Sequence, residues 1–257
     1  MKRKTPPAKQ LSGLLTDRGL GILIVIQFFA GIVTTPVLTF LPVYVDEVLG
    51  LEQSFTANAR AIWLAAMGLS ALAGGALSDA VGRKFTIVLG LAGTVAGALI
   101  FVNGSPLLVG YLLPIVLGTA DGLYITASQT YLVEVSPRNR LSTMTALWFS
   151  GMTGGNLVGG LIVGAVAEWA GYTTLSIYIA ISSVTVASLA LAVLPSIGDG
   201  ASVTSLRFRT TIASYTSLLQ QTPYQLLVAI QVLRTFFWGG FQIMGPIMIA
   251  GLSGSKF

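Results

Sequence analysis

The chain predicts an all-α, polytopic membrane protein, and three observations carry that prediction. First, 54% of its 257 residues are hydrophobic and only 9% are charged, against about 25% charged in ordinary soluble chains. Second, the mean hydropathy is +0.82, and the apolar residues fall in runs of about 20, the length a helix needs to cross hydrocarbon. Third, the few charges are gathered in short breaks between those runs, where water or headgroups can solvate them. A water-soluble fold of this size could not cover its surface with so few charges.

The apolar runs are placed near Leu20–Val45, Ala61–Leu77, Phe85–Val102, Leu107–Val133, Leu141–Ala167, Thr174–Leu194 and Pro223–Leu252. The first run is long enough to be a retained helix. A cleaved signal peptide would have a shorter apolar core followed closely by a small-residue cleavage site. Asn103-Gly104-Ser105-Pro106 is a turn cluster. Ser136-Pro137-Arg138-Asn139-Arg140 is a polar break, and Gly171-Tyr172-Thr173-Thr174 is a weaker one. The stretch Ser196–Gln221 is too polar to span and reads as a linker, with Ser205–Gln220 suited to lie on a membrane surface. The expected organisation is therefore a tail over 1–19, a six-helix bundle over 20–195, a linker over 196–221, and over 222–257 the first helix of an incomplete second bundle.

Basic residues set the expected orientation. With the N-terminus in the cytoplasm of a cell whose inner (plasma) membrane holds the chain, Lys2, Arg3, Lys4, Lys9, Arg18, Arg83, Lys84, Arg138, Arg140, Arg207 and Arg209 all lie inside. Only Arg60 and Lys256 face out, while Arg234 lies within an apolar run. Trp63 and Trp169 fall near outer ends and read as interfacial anchors. The net charge of +5 is thus a matter of topology and not of nucleic-acid binding. No Cys or His is present. A disulfide framework, a Cys/His metal site and a Cys–His catalytic pair are excluded, and with no paired carboxylates the chain is not expected to be an enzyme. No cofactor or metal is expected. A seven-helix photoreceptor is disfavoured by the inside N-terminus and by the lack of a Lys in the last run.

The turn Gly75-Ala76-Leu77-Ser78-Asp79-Ala80-Val81-Gly82-Arg83-Lys84 joins the second and third runs. Gly74 and Gly75 thin the helix end, Gly82 permits a tight bend, and Asp79, Arg83 and Lys84 supply charge. This turn resembles the signature loop of the major facilitator superfamily (MFS) of secondary transporters, departing from it at Ala80, where the family usually carries a base. Glu134-Val135-Ser136-Pro137-Arg138-Asn139-Arg140 resembles the family's E-x-x-P-x-x-R loop. The resemblance implies an MFS-type six-helix bundle followed by the start of another. It also implies a cytoplasmic charge network of Asp79, Arg83, Lys84, Glu134 and Arg140 that favours one state of a transport cycle. Gly151, Gly155, Gly159 and Gly160 form a small-residue stripe for helix packing. They are similar to the fifth-helix motif of the family's proton-coupled exporters, with Asn156 where that motif has Pro. In the fourth run, Pro114–Gly118 lacks the Arg that many family exporters carry.

Asp121 stands in the middle of the fourth run, where a carboxylate is costly unless it meets a cavity or a partner. Tyr124 and Ser128 share its helix face. With no His in the chain, Asp121 is the clearest candidate for a proton carrier. By resemblance, the first, fourth and seventh helices line a central cavity. That would gather Gln27, Thr34 and Thr35 with Asp121 and with Arg234, Gln231, Trp238 and Gln242, and would pair Asp121 with Arg234.

The implied function is secondary transport of a small solute by alternating access, with proton-coupled efflux of drug-like or amphipathic compounds foremost. Uptake of a metabolite or sugar, and a truncated non-transporting scaffold or sensor, are the alternatives. The expected partners are the bilayer, a small-molecule substrate, and a missing C-terminal half or a second chain, because family members usually have twelve helices. The coupling ion would be the proton.

Overall fold

The computed structural model describes residues 18–102, 105–196, 217, 220–230, 232–234 and 237, with the side chains of residues 18, 35, 36, 38, 53 and 102 outside that description. Among the described residues there is no strand. Helix α1 is Arg18–Glu47, α2 is Gln53–Val81 and α3 is Arg83–Val102. A π-helical turn, Leu108–Leu112, leads into α4, Leu113–Val135. A short 3-10 turn, Arg138–Arg140, precedes the helix Leu141–Val193. That last helix breaks at Gly171 (φ 76°, ψ 171°), so it is two arms, α5 (141–170) and α6 (172–193). The left-handed φ is one that a glycine adopts freely.

The bundle thus has the six helices the apolar runs predicted. Among the described residues, five helical stretches are long and apolar enough to cross a membrane, the last of them holding both arms. At about 1.5 Å per residue, the 30 residues of α1 exceed the roughly 30 Å of hydrocarbon. The main difference lies in α2. It begins at Gln53, eight residues before the predicted run, because Ser54-Phe55-Thr56-Ala57-Asn58-Ala59-Arg60 is helical without being apolar. Arg60 is therefore two turns inside a helix and not in a loop.

The π-helical turn has a local cause. Pro114 has no N–H to offer the carbonyl of Gly110, and its ring would crowd that carbonyl in a regular helix. Widening the preceding turn by one residue relieves the conflict.

Packing follows glycine seams. In lipid the neighbouring tails are as apolar as the helices, so association depends on close contact. Helix α1 packs on the Leu141–Val193 helix, α2 on α4, and α3 on both α4 and Leu141–Val193. A side chain at Gly155 would strike the carbonyl of Phe28, one at Gly159 would strike Ile32, and one at Gly151 would come within 3.2 Å of the carbonyl of Ile24. From the opposite side, Gly31 on α1 meets Met152 and Asn156. Gly160 does not belong to this seam: nothing lies within 4 Å of the place its side chain would occupy. One residue along a helix is a rotation of about 100°, which turns Gly160 off the face that Gly159 shares with Gly155. Two further seams hold α4. Gly118 and Gly122 seat it against Trp63, Met67 and Ser70 of α2, while Gly90, Gly93 and Gly97 of α3 seat it against Ala120, Tyr124 and Leu117.

Two apolar clusters fill the bundle. One gathers Leu20, Leu23, Ile26, Leu91, Tyr131 and Trp148, and the other Leu41, Tyr44, Phe101, Leu113, Leu175 and Ile179. The chain divides into units 1–204 and 205–257. In the second unit residues 222–230 and 232–234 are helical and exposed, among them Arg234. The segment Ser205–Gln220 lies almost wholly outside the described residues, as do Gln231, Trp238 and Gln242.

Substituting Leu for Gly155 is expected to cost about 1–3 kcal/mol, because the obstructing atom is a backbone carbonyl that cannot rotate away. Gly160→Leu is expected to leave stability within about 0.5 kcal/mol of the parent. Thermal unfolding of the two detergent-solubilised variants checks the contrast.

Candidate functional site

The α2–α4 seam brings two sequence-distant groups together halfway along the bundle. Trp63 Nε1 donates a hydrogen bond of 2.9 Å to Asp121 Oδ2. The guanidinium of Arg60 lies 4.3 Å from the centre of the Trp63 ring, a cation–π distance, and Arg60 is near enough for its charge to act on Asp121. One indole thus serves a cation on its face and a carboxylate at its edge. Asp121 and Arg60 are both half-buried. Next to Asp121 on α4, the Tyr124 hydroxyl donates to Oε1 of the buried Gln27 at 2.5 Å, bridging α4 to α1. Ser128 is buried and spends its hydroxyl on the carbonyl of Ile125 in its own helix.

At the end of the bundle where α2 turns into α3, Gly82 (φ 95°) makes the bend. Arg83 is the centre of the charges there. Its Nη2 donates to Glu134 Oε1 at 2.9 Å and its Nε to the same oxygen at 3.2 Å. Its Nη1 pairs with Asp79 and reaches Ser78 Oγ at 3.4 Å. The Arg83 side chain is only 15% exposed, whereas Asp79 is 71% and Glu134 35% exposed. The fork of Arg83 therefore ties the α2–α3 turn to the end of α4.

The family model described as Major Facilitator Superfamily matches residues 15–256. The chain belongs to the Major Facilitator Superfamily. No curated protein sequence matches it. Among solved structures the chain is similar to a POT family transporter in complex with a thioalcohol-conjugated peptide, with a TM-score of 0.65 and 16% identity over 91% of this chain and 50% of that one. It is also similar to a POT family transporter in complex with 5-aminolevulinic acid, with a TM-score of 0.65 and 15% identity over 92% of this chain and 51% of that one. A third, a mutant peptide transporter POT in complex with alafosfalin, gives 0.62 and 19% over 85% and 46%. At these identities the likeness is one of fold. The chain spans about half the length of the solved transporters it matches.

Within this superfamily chain, the described residues bring together part of what the sequence suggested. Asp79, Arg83 and Glu134 form one network around the bend at Gly82. Gly74 is buried against Leu123, and Gly75 is half-buried. Arg140 is exposed and Lys84 half-buried, and neither makes an ion pair among the described residues. Gln27 and Tyr124 meet each other. The basic residue that acts on Asp121 within its own unit is Arg60, while Arg234 belongs to the second unit. Trp63, read from the sequence as an interfacial anchor, is a direct partner of Asp121. Its signal was present as spacing: Arg60 and Trp63 are three residues apart, one helical turn.

Glu134→Gln is expected to loosen the α2–α3 turn by about 1–2 kcal/mol, since it removes the charge of the group that accepts from both Nε and Nη2 of Arg83. Asp79→Asn, at a far more exposed pair, is expected to cost about 0.2–1 kcal/mol. Hydrogen exchange of the amides of residues 82–87, compared across the two variants, measures the difference.

Proposed function

We propose that the chain carries half of the solute pathway of a secondary transporter working by alternating access, and that Asp121 carries the coupled proton. The observation that supports this most is the Trp63–Asp121 hydrogen bond with Arg60 stacked on the same indole. A carboxylate held within an apolar helix of a membrane protein is costly to maintain, and such groups mark ion and substrate paths. Protonation of Asp121 would remove the negative partner of Arg60 and weaken the charge-assisted bond from Trp63. The α2–α4 contact would then differ between the two protonation states, which is the differential a coupled carrier needs.

Efflux of amphipathic compounds in exchange for protons is the proposed direction. Uptake of a small metabolite is the second reading. It is favoured by the fold neighbours whose names record bound peptide-like compounds and 5-aminolevulinic acid. In this proposal the N-terminus is cytoplasmic and the membrane is the inner one. A missing C-terminal half or a second chain would complete the pathway.

Proteoliposomes with an imposed pH gradient test the proposal, with ethidium as the probe for efflux and 5-aminolevulinic acid as the probe for uptake. Asp121→Asn is expected to lower gradient-driven flux at least tenfold, about 1.4 kcal/mol or more. Trp63→Phe, which keeps the ring under Arg60 and removes the donor, is expected to give a smaller loss. Unchanged pH-dependent flux in a folded Asp121→Asn protein overturns the proton role. Absence of flux of either probe in the parent, reconstituted together with the half of the pathway that this reading requires, favours the scaffold or sensor reading.

A further inference from the structure

The end of the bundle opposite Arg83 carries a second set of groups that the transport reading leaves unused. A cavity of about 230 Å³ opens there, lined by Tyr44, Val48, Phe101, Tyr172 and Thr173. Its aromatic rings form a connected wall. Tyr44 and Phe101 have centroids 4.5 Å apart, and Tyr44 and Tyr172 meet edge-on at 5.1 Å. Val48 and Thr173 are exposed and form the mouth, whereas Tyr44 and Phe101 are buried and form the floor. The Tyr172 hydroxyl donates to Glu47 Oε2 at 3.1 Å, which fixes a carboxylate beside the wall.

No ion pair of 4 Å or less holds that carboxylate among the described residues, where its partner is the Tyr172 hydroxyl. The surroundings share its sign. Asp46, Glu47, Glu52 and Glu168 are all exposed near the ends of α1 and α5. The nearest described basic residue along the chain, Arg60, lies two turns inside α2. An anion would be repelled from this rim and a cation drawn to it.

We propose that this rim cavity binds a methylated ammonium head group. Such a cation is too weakly hydrated to resist leaving water, and its charge is spread over methyl surfaces that pack on ring faces. Aromatic walls with a nearby carboxylate supply both attractions. The cavity is smaller than a drug-sized site, which spans roughly 300–1,000 Å³, so it suits the head group alone. The same chemistry arises in a free solute such as choline and in the choline head of a phospholipid. The inference does not depend on transport or on Asp121.

The test uses the folded chain in a maltoside detergent, which carries no ammonium group, and reads saturation-transfer NMR of tetramethylammonium and of choline. Saturable binding in the millimolar range is expected, with 3,3-dimethylbutanol, the neutral counterpart of choline, binding at least about fivefold more weakly. Tyr172→Leu and Glu47→Gln are each expected to weaken the cations about 3- to 10-fold. Tyr172→Phe, which keeps the ring, is expected to weaken them less. Nanodiscs separate the sources: phosphatidylcholine discs that suppress tetramethylammonium binding relative to phosphatidylglycerol discs identify the lipid head, and equal binding in both identifies a free solute. No saturable binding by the parent overturns the proposal. So does equal binding of the neutral counterpart, or cation binding unchanged in both Tyr172→Leu and Glu47→Gln.

Discussion

Close approach between helix backbones is the constraint on which this bundle rests. In hydrocarbon there is no gain in hiding one apolar helix behind another, so what holds the helices is the contact itself. Three glycine seams provide it: Gly151, Gly155 and Gly159 against α1, Gly118 and Gly122 against α2, and Gly90, Gly93 and Gly97 against α4. Helix α4 takes part in two of them. It is clamped on both sides, and that clamping fixes the direction in which Asp121 leaves its backbone. Polar contacts then follow from geometry. Trp63 reaches Asp121 because Gly118 lets the α2 backbone sit against α4, and on another face of α4 the Tyr124 hydroxyl reaches Gln27 of α1.

Charge is distributed as if the two ends of the bundle had different tasks. At one end Arg83 gathers Asp79 and Glu134 around a glycine bend, with Arg138, Arg140 and Lys84 nearby. At the other, carboxylates predominate and tyrosine hydroxyls do the bridging. The middle holds a single acidic residue, Asp121, in the described part of the bundle. Ionisable groups in a membrane protein are expensive, and these are confined to two rims and one site between helices.

Much of the architecture was legible in the residues. Long apolar runs with charged breaks announce helices directly, and the weak break at Gly171 corresponds to a real left-handed residue. The charged turn could be read because glycine, carboxylate and guanidinium sit within a few residues of one another. The site was harder. Trp63 and Asp121 are 58 residues apart, and no local pattern connects them. Depth along the chain suggests an interfacial role for the indole, and only the packing of α2 on α4 shows that its N–H is also spent on Asp121. Asp121 itself was visible from cost alone, since a carboxylate in the middle of an apolar run requires an explanation. Gly160 was misplaced because spacing along the chain was treated as sharing a face. The seams on α3 and α4 were present as glycines three and four apart, but their partners were not readable from one helix.

The widened turn at Leu108–Leu112 has a consequence for how this fold tolerates change. It absorbs one surplus residue between the loop and the clamped portion of α4. Removing a single residue there would take away that relief, pressing the Pro114 ring against the carbonyl one turn before it and turning the preceding residues by about 100°. Phe55, whose ring sits over Gly110, would lose its seat, while Asp121 and its glycines stayed where they are. The widened turn thus sits between the rim and the half-buried Asp121, where a change of length can be taken up before it reaches the site.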